Sequence, residues 1–271
     1  MLNFILRRQV RIRTETLKST ISAKEKIESE LKVAHEIQMD LLPRSFPAFP
    51  GRNDFDIYAV IKPAREVGGD FYDFFLIDDN HLCVVIGDVS DKGVPAALFM
   101  ARAKTLIKST ARNTHSPSSI MDFANRHLSE DNDALMFATA FCAVLTIDSG
   151  ELVYSNAGHN SPIIASVNRE AFFLEPTGST ALGIDSDSLF PELTTNLDPE
   201  EILLLYTDGV TEELNQRGEV FSEELLLKLV AENPTIPVKD MVTSILDSVS
   251  GHKADTDQSD DIAILGLKLL S

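Results

Sequence analysis

The chain has 271 residues, 44% of them hydrophobic, with 24 basic residues against 42 acidic and a formal net charge of −18. That length exceeds one ordinary domain without clearly making two, and the apolar content is ample for a core. The acidic balance argues against nucleic acid as a partner, because such binding rests on neutralising phosphates with Lys and Arg, and against an anionic membrane surface for the chain as a whole.

The opening stretch, MLNFILRRQV, carries an apolar run too short for a secretory signal, and its basic residues follow the run rather than precede it. Residues 14–42 contain neither Gly nor Pro. Ile27, Leu31, Ala34, Gln38 and Leu41 recur at steps of four and three, and Leu17 and Ile21 extend the stripe upstream with Lys24 as a polar interruption. This a/d seam with charged flanks predicts a coiled coil, in which a polar Lys or Gln fixes register and partner number. The alternative is a single helix packed on the chain's own core. Pro43 ends the helix, and Pro47, Pro50 and Gly51 mark a linker. The boundaries follow: a helical signalling linker over 1–43 and a second domain over 44–271. The basic start (Arg7, Arg8, Arg11, Arg13) either lies against a membrane or continues the helix.

From Phe55 onward β-rich runs occupy 55–61, 71–77, 81–87, 136–147, 151–156, 161–166, 171–174, 202–207 and 262–269. Helical patterns over 94–112, 117–128, 222–231 and 238–249 interrupt them, with Pro95 and Pro117 at first-turn positions. Strands joined by short turns with helices grouped between them predict an α+β layered domain rather than βαβ repeats. The polar stretch 252–258 reads as a mobile loop. Cys83 and Cys142 lie in apolar runs and read as buried thiols of core strands. Two cysteines make no disulfide framework and suit a reducing, cytoplasmic compartment. No segment approaches 18 consecutive apolar residues.

Four acidic motifs carry the chemistry: EVGGDFYD (66–73), GDVSDKG (87–93), YTDGVTE (206–212) and QSDDIAIL (258–265). Each places an aspartate at the start or end of an apolar run. Asp88 follows CVVIG, with the Val89 carbonyl positioned to help coordinate a cation, and Asp208 follows ILLLYT. Asp260 and Asp261 open the last strand, and Asp70 follows two glycines that permit close backbone approach. Singly, each motif is more often a turn or a solvated loop end than a ligand. Together they read differently, because two charges about 4 Å apart repel by roughly 4 kcal/mol at an effective dielectric near 20. If the four converge, a hard divalent cation is the natural compensation.

The chain resembles the metal-dependent protein phosphatase (PPM) family, specifically its bacterial SpoIIE/RsbU-type group, through IQMDLLP, PAREVGGDFYD, GDVSDKGVPAALFM, FATAF, NAGHNSP, YTDGVTE and SDDIAIL, over roughly residues 30–270. The resemblance implies a four-layer α-β-β-α sandwich preceded by a long N-terminal helix, with two Mn²⁺ or Mg²⁺ ions at one end. Asp88 would bridge both ions. Asp70 and the Val89 carbonyl would complete one site, and Asp208 and Asp260 the other, with Asp261 a second-choice ligand. Asp73 and Asp91 receive no metal role. The implied reaction is hydrolysis of phosphoserine or phosphothreonine by a metal-activated water.

The histidine suspected as general acid in some relatives has no counterpart at Val89-Ser90. His159 is the substitute candidate, the alternative being a histidine that orders its turn. Arg65 is a candidate for the substrate phosphate, with Lys92 a weaker one, and His35, His115 and His127 read as solvent-facing on helical patterns. The resemblance further implies a phosphorylated anti-sigma-factor antagonist as substrate, a homodimer through the N-terminal helix, and a signal from an upstream sensor domain or a partner protein. The competing readings are a non-catalytic metal-binding module that sequesters a phosphoprotein, and a hydrolase of small phosphoesters.

Overall fold

Uninterrupted helix-forming sequence produces α1 (Leu2–Asp40). It starts well before residue 14, because nothing in the first residues breaks it. The computed structural model describes residues 2–254 and 256–270. Most of α1 stands clear of the rest of the chain: Ile12, Leu17, Ile21 and Ile27 are exposed. The i,i+4 pairs Arg11–Glu15, Lys24–Glu28 and Lys26–Glu30 line its surface, each worth only a few tenths of a kcal/mol. Its last turn docks, with Gln38 and Met39 buried and Leu42 following them. The sequence seam therefore divides. Its upper positions have no partner within the described residues, whereas Gln38 faces the chain's own second domain rather than a neighbouring helix. Arg7, Arg11 and Arg13 are exposed; the Arg8 side chain lies outside the described residues, as do Met1 and Ser271 at the outer ends of the two assigned ranges. Among the described residues no helix is long and apolar enough to cross a membrane.

The chain continues through β1 (Phe55–Lys62), β2 (Phe71–Leu76), β3 (His81–Val89), α2 (Val94–Ala111), α3 (Pro117–Ser129), β4 (Ala138–Thr146), β5 (Glu151–Ala157), β6 (Ile163–Ala165), β7 (Phe172–Phe173), β8 (Leu193–Asn196), β9 (Ile202–Tyr206), the single turn α4 (Asp208–Thr211), α5 (Glu223–Glu232), α6 (Val238–Lys253) and β10 (Ile262–Leu269). Two points depart from the sequence expectation. β8 was not foreseen: its residues LTTN are half-exposed, and it pairs on one side only, with β5. α6 runs through Lys253, so His252 and Lys253 belong to a helix rather than a loop; Asp255 of that stretch lies outside the described residues.

The strands form two five-stranded sheets, ordered β1-β10-β9-β6-β7 and β2-β3-β4-β5-β8, with antiparallel pairing throughout. β10 shows why the sheets stack. All eight of its residues are buried, and successive side chains point to opposite faces. Ala263, Leu265, Leu267 and Leu269 join the core shared with the other sheet, while Ile262 and Ile264 join the cluster formed with α5 and α6. α2 and α3 cover the outer face of the β2–β8 sheet through Ala96, Met100, Ala103, Ile107, Ile120, Met121, Ala124 and Leu128. The architecture is a four-layer α-β-β-α sandwich. Gly266 lets α6 sit against β10, since a Cβ there would lie 2.6 Å from Val238 Cγ1. Cys83 and Cys142 are buried free thiols on neighbouring strands, with sulfurs 3.9 Å apart.

Candidate metal centre

Antiparallel pairing brings the four acidic motifs to one end of the sandwich. In the β2–β3 pair Phe71 lies opposite Gly87, so Asp70, just before β2, meets Asp88 near the end of β3. In the β9–β10 pair Tyr206 lies opposite Ile264. Asp208, two residues beyond Tyr206, therefore approaches Asp260 and Asp261, which precede β10. Thr207 joins the sheets: its Oγ1 donates to Asp70 Oδ2 at 2.6 Å and accepts from the Ala263 N–H at 2.8 Å.

The carboxylates strain one another. Burial, reinforced by the charge of Asp88, pushes Asp70 well above the ordinary carboxylate range, although Thr207 opposes the shift. Burial pushes Asp88 up to about 7, with Asp208, Asp260 and Asp261 adding to it and a hydrogen bond from Asp70 opposing it. Asp208 is raised by burial and then by Asp260, and its Oδ1 is buried without a hydrogen-bond partner. A buried carboxylate oxygen without a donor is costly. Against this excess the protein sets Lys92, whose Nζ lies 2.8 Å from Asp260 Oδ1 and donates to the Ser259 carbonyl at 2.9 Å. Lys92 thus binds the cluster's edge rather than standing free for a substrate.

The two glycines serve close approach, and neither has a positive φ. A Cβ on Gly69 would lie 2.7 Å from the Val89 carbonyl oxygen and 3.3 Å from Asp88 Oδ1, and one on Gly68 would lie 2.0 Å from Asp261 Oδ2. The loop backbone is thereby pressed against the Val89 carbonyl that the sequence singled out. An all-oxygen set of Asp70, Asp88, Asp208, Asp260 and the Val89 carbonyl, with one orphaned oxygen and mutual repulsion, fits Mg²⁺ or Mn²⁺.

Asp261 is placed differently. Its Oδ1 accepts the Ala64 N–H and its Oδ2 the Gly69 N–H, both at 2.8 Å, so it clamps the loop that delivers Asp70. Gly209 is required beside it, as a Cβ there would lie 1.9 Å from the Asp261 carbonyl. Arg65 is exposed on the rim. His159 is buried: the Thr139 hydroxyl lies 2.9 Å from Nδ1 and the Tyr206 carbonyl 3.1 Å from Nε2. A carbonyl only accepts, so Nε2 carries the proton and Nδ1 accepts from Thr139. Burial pulls its pKa down to about 4, against the opposing Tyr206 hydrogen bond. Asn156 closes the turn, accepting the His159 N–H at 2.7 Å and donating to its carbonyl at 2.9 Å. His159 therefore ties β4 to β9 as a neutral imidazole. Asp73 pairs with Lys104 and Lys108 away from the cluster, and Asp91 is exposed with φ 67.

Three contributors were not anticipated. Thr207 lies inside the YTDG motif, where its hydroxyl next to a candidate ligand was the available signal. Gln38 donates to the Gly68 carbonyl at 2.7 Å and accepts the Gly68 N–H at 3.2 Å, and His35 Nδ1 lies 2.7 Å from the Glu66 carbonyl. His35 is thus engaged with the loop rather than simply solvent-facing, and the end of α1 grips the segment leading to Asp70. The only sequence sign was a polar residue on an apolar seam.

Residues 78–270 match the family described as Stage II sporulation protein E (SpoIIE). Protein IcfG of Synechocystis is 33% identical over 269 residues, an alignment covering 88% of this chain and 41% of that protein. The phosphoserine phosphatase RsbU of Bacillus subtilis is 31% identical over 225 residues, covering 83% of this chain and 66% of that protein. The chain thus spans less than two thirds of the length of either relative. The SiaA-PP2C domain of Pseudomonas aeruginosa superposes with a TM-score of 0.81 at 23% identity, over 91% of this chain and 98% of that domain, a likeness that shows the fold.

Proposed function

The chain belongs to the SpoIIE family of PP2C-type phosphatases, and from that membership we propose that it is a metal-dependent protein phosphatase acting on phosphoserine or phosphothreonine. The observation that carries this reading is the carboxylate cluster that Lys92 compensates only at its edge, with the buried Asp208 Oδ1 lacking any donor. Asp70, Asp88 and the Val89 carbonyl would hold one divalent cation, and Asp88, Asp208 and Asp260 a second, either Mn²⁺ or Mg²⁺. When bound, such a pair acidifies a shared water and stabilises the oxygens of an in-line displacement.

The chain's own groups supply the positioning. Thr207 fixes the Asp70 carboxylate, Asp261 and Gln38 fix the loop before it, and Lys92 orients Asp260. Arg65, exposed beside this loop, is the candidate to meet a substrate phosphate as it docks. His159 has both nitrogens engaged inside the protein, so its role in this reading is to hold β9, and with it Thr207 and Asp208, in register.

The substrate is a phosphorylated signalling protein of the anti-sigma-factor-antagonist type, a reading supported by likeness to the phosphoserine phosphatase RsbU. Residues 1–43 form the signalling linker and 44–271 the phosphatase domain. The exposed seam residues Leu17, Ile21 and Ile27 pair with a second copy, and a sensor, on the same chain or a partner, acts through it. A non-catalytic sequestering module is disfavoured because every acid of the set is present. The test is Mn²⁺-dependent release of phosphate from a phosphoserine protein. Asp88→Asn should abolish it while the circular dichroism spectrum stays the same; release at the wild-type rate would remove Asp88 from the reaction.

A further inference from the structure

β3 carries a second group of ligand atoms at its other end, far from Asp88. Asp78 lies in the β2–β3 turn, His81 begins β3, and His115 lies in the connection between α2 and α3. His81 Nδ1 is 2.8 Å from both Asp78 oxygens, and His115 Nε2 is 3.1 Å from Asp78 Oδ2. The two imidazoles stack with centroids 4.0 Å apart. The sequence pattern placed His115 on a helix facing solvent; it is exposed, but it sits between helices and converges with a hairpin turn.

The backbone holds this arrangement in place. Asp78 Oδ1 accepts the N–H groups of Asn80 and His81 at 2.8 and 2.9 Å, closing the turn. Asn80 in turn accepts the N–H of Ile147 and, through its side chain, that of Asp148. Ser116, next to His115, caps α3 by accepting the Ser119 N–H. Asp78 Oδ2 takes no backbone donor and faces one nitrogen from each imidazole. The side chains remain partly open, at 45% exposure for Asp78, 24% for His81 and 49% for His115, which leaves room for water as a further ligand.

We propose that Asp78, His81 and His115 form a second cation site, separate from the acidic centre, for a borderline divalent transition metal of the zinc class. Two imidazoles and a carboxylate suit Zn²⁺, Cu²⁺ or Ni²⁺, whereas the all-oxygen acidic centre suits Mg²⁺ or Mn²⁺. Tetrahedral zinc with bonds of about 2.0–2.2 Å sets its ligand atoms about 3.3–3.6 Å apart. One atom from each of the three residues already lies within 4.8 Å of the others, so small side-chain rotations complete the set. The cation would replace the protons that now link both imidazoles to Asp78, and it would bridge the β2–β3 turn to the α2–α3 connection.

Cu²⁺ added to the full chain and followed by electron paramagnetic resonance tests this. The Asp88→Asn chain should bind one equivalent with hyperfine splitting from two imidazole nitrogens, as the wild type does, because the acidic centre is not involved. His115→Ala, in an exposed connection, should lose one nitrogen from the pattern and weaken binding by about tenfold or more, since loss of a mere supporting partner already costs 10–100-fold. His81→Ala should do the same. A nitrogen pattern and affinity unchanged by His115→Ala would mean that copper sits on other histidines and would overturn the site. No nitrogen-coordinated copper in the wild type would also overturn it. If His81→Ala fails to fold, the His115→Ala result decides alone.

Discussion

Asp70 and Asp73 stand three residues apart, are both almost wholly buried, at 1% and 2% exposure, and meet opposite treatment. An odd spacing along an extended segment sends them to opposite faces. Asp73 faces α2, where Lys104 Nζ lies 2.6 Å and Lys108 Nζ 3.1 Å from its Oδ2. Asp70 faces the junction of the two sheets, where it meets Asp88 and Asp261 and has the Thr207 hydroxyl as its donor. Burial costs both carboxylates their hydration, and the fold answers only Asp73 with side chains of opposite charge. Equal burial with unequal compensation separates an acid answered by two lysines from an acid left among other acids with a hydroxyl donor.

Exchanging each for its amide should give opposite results, and this is the largest effect expected. Asp70→Asn replaces a buried acid whose ionisation no neighbouring cation offsets, and keeps an oxygen for Thr207. The metal-free variant should melt several degrees above the wild type, since about 1 kcal/mol corresponds to roughly 2–4 °C in a chain of this size. It should also lose Mn²⁺ binding by calorimetry, and phosphate release with it. Asp73→Asn leaves Lys104 buried without its partner, a defect that costs about 3–5 kcal/mol, yet it should still bind Mn²⁺. Two variants that melt at the same temperature would show that the two faces are not differently compensated.

The pH dependence sharpens the same contrast. Asp88 is raised from 3.8 in the free side chain to about 7 in the folded chain. The folded state therefore holds a proton that the unfolded state has released, and stability falls as pH rises between those values. His159, lowered from 6.5 to about 4, acts in the opposite direction: its contribution is lost as pH falls through that window. The diagnostic quantity is accordingly the difference between wild type and Asp88→Asn. Without metal, Asp88→Asn should gain relative stability steadily from pH 4 to pH 7, and saturating Mn²⁺ should reverse the order by stabilising the wild type alone. A difference that does not vary with pH would place Asp88 outside the strained cluster.

How much of this was legible beforehand depended on whether the signal was local. Apolar runs bounded by turn residues gave the strands and placed Asp70, Asp88 and Asp208 at strand ends. Antiparallel pairing then turns strand ends into neighbours, which is why widely separated motifs meet. β8 was missed because LTTN at a sheet edge has too little apolar alternation to stand out. Which carboxylate clamps the loop was not legible either. Asp260 and Asp261 are adjacent and chemically identical, and only the positions of the Ala64 and Gly69 N–H groups make Asp261 a clamp. His159 fell in the same class, since only the Thr139 hydroxyl and the Tyr206 carbonyl show that its nitrogens are engaged.

Gln38 provides the smallest effect and the most specific one. Its amide both donates to and accepts from Gly68, a match that a hydrophobic residue of similar size cannot make. Gln38→Leu should keep the packing of the last turn of α1 and leave the Gly68 N–H and carbonyl unpaired, a cost of about 1–3 kcal/mol. Because Gly68 leads directly into Gly69 and Asp70, Mn²⁺ affinity should fall several-fold in the same variant. Ile27→Asp, on the exposed part of the same helix, should leave both stability and Mn²⁺ affinity of the isolated chain unchanged, altering only its self-association. Together the two variants ask whether α1 reaches the acidic cluster through its docked end. If Gln38→Leu binds Mn²⁺ as tightly as the wild type, the grip on Gly68 holds the helix in place without shaping the position of Asp70, and the poor compensation of that carboxylate is set by the sheets alone.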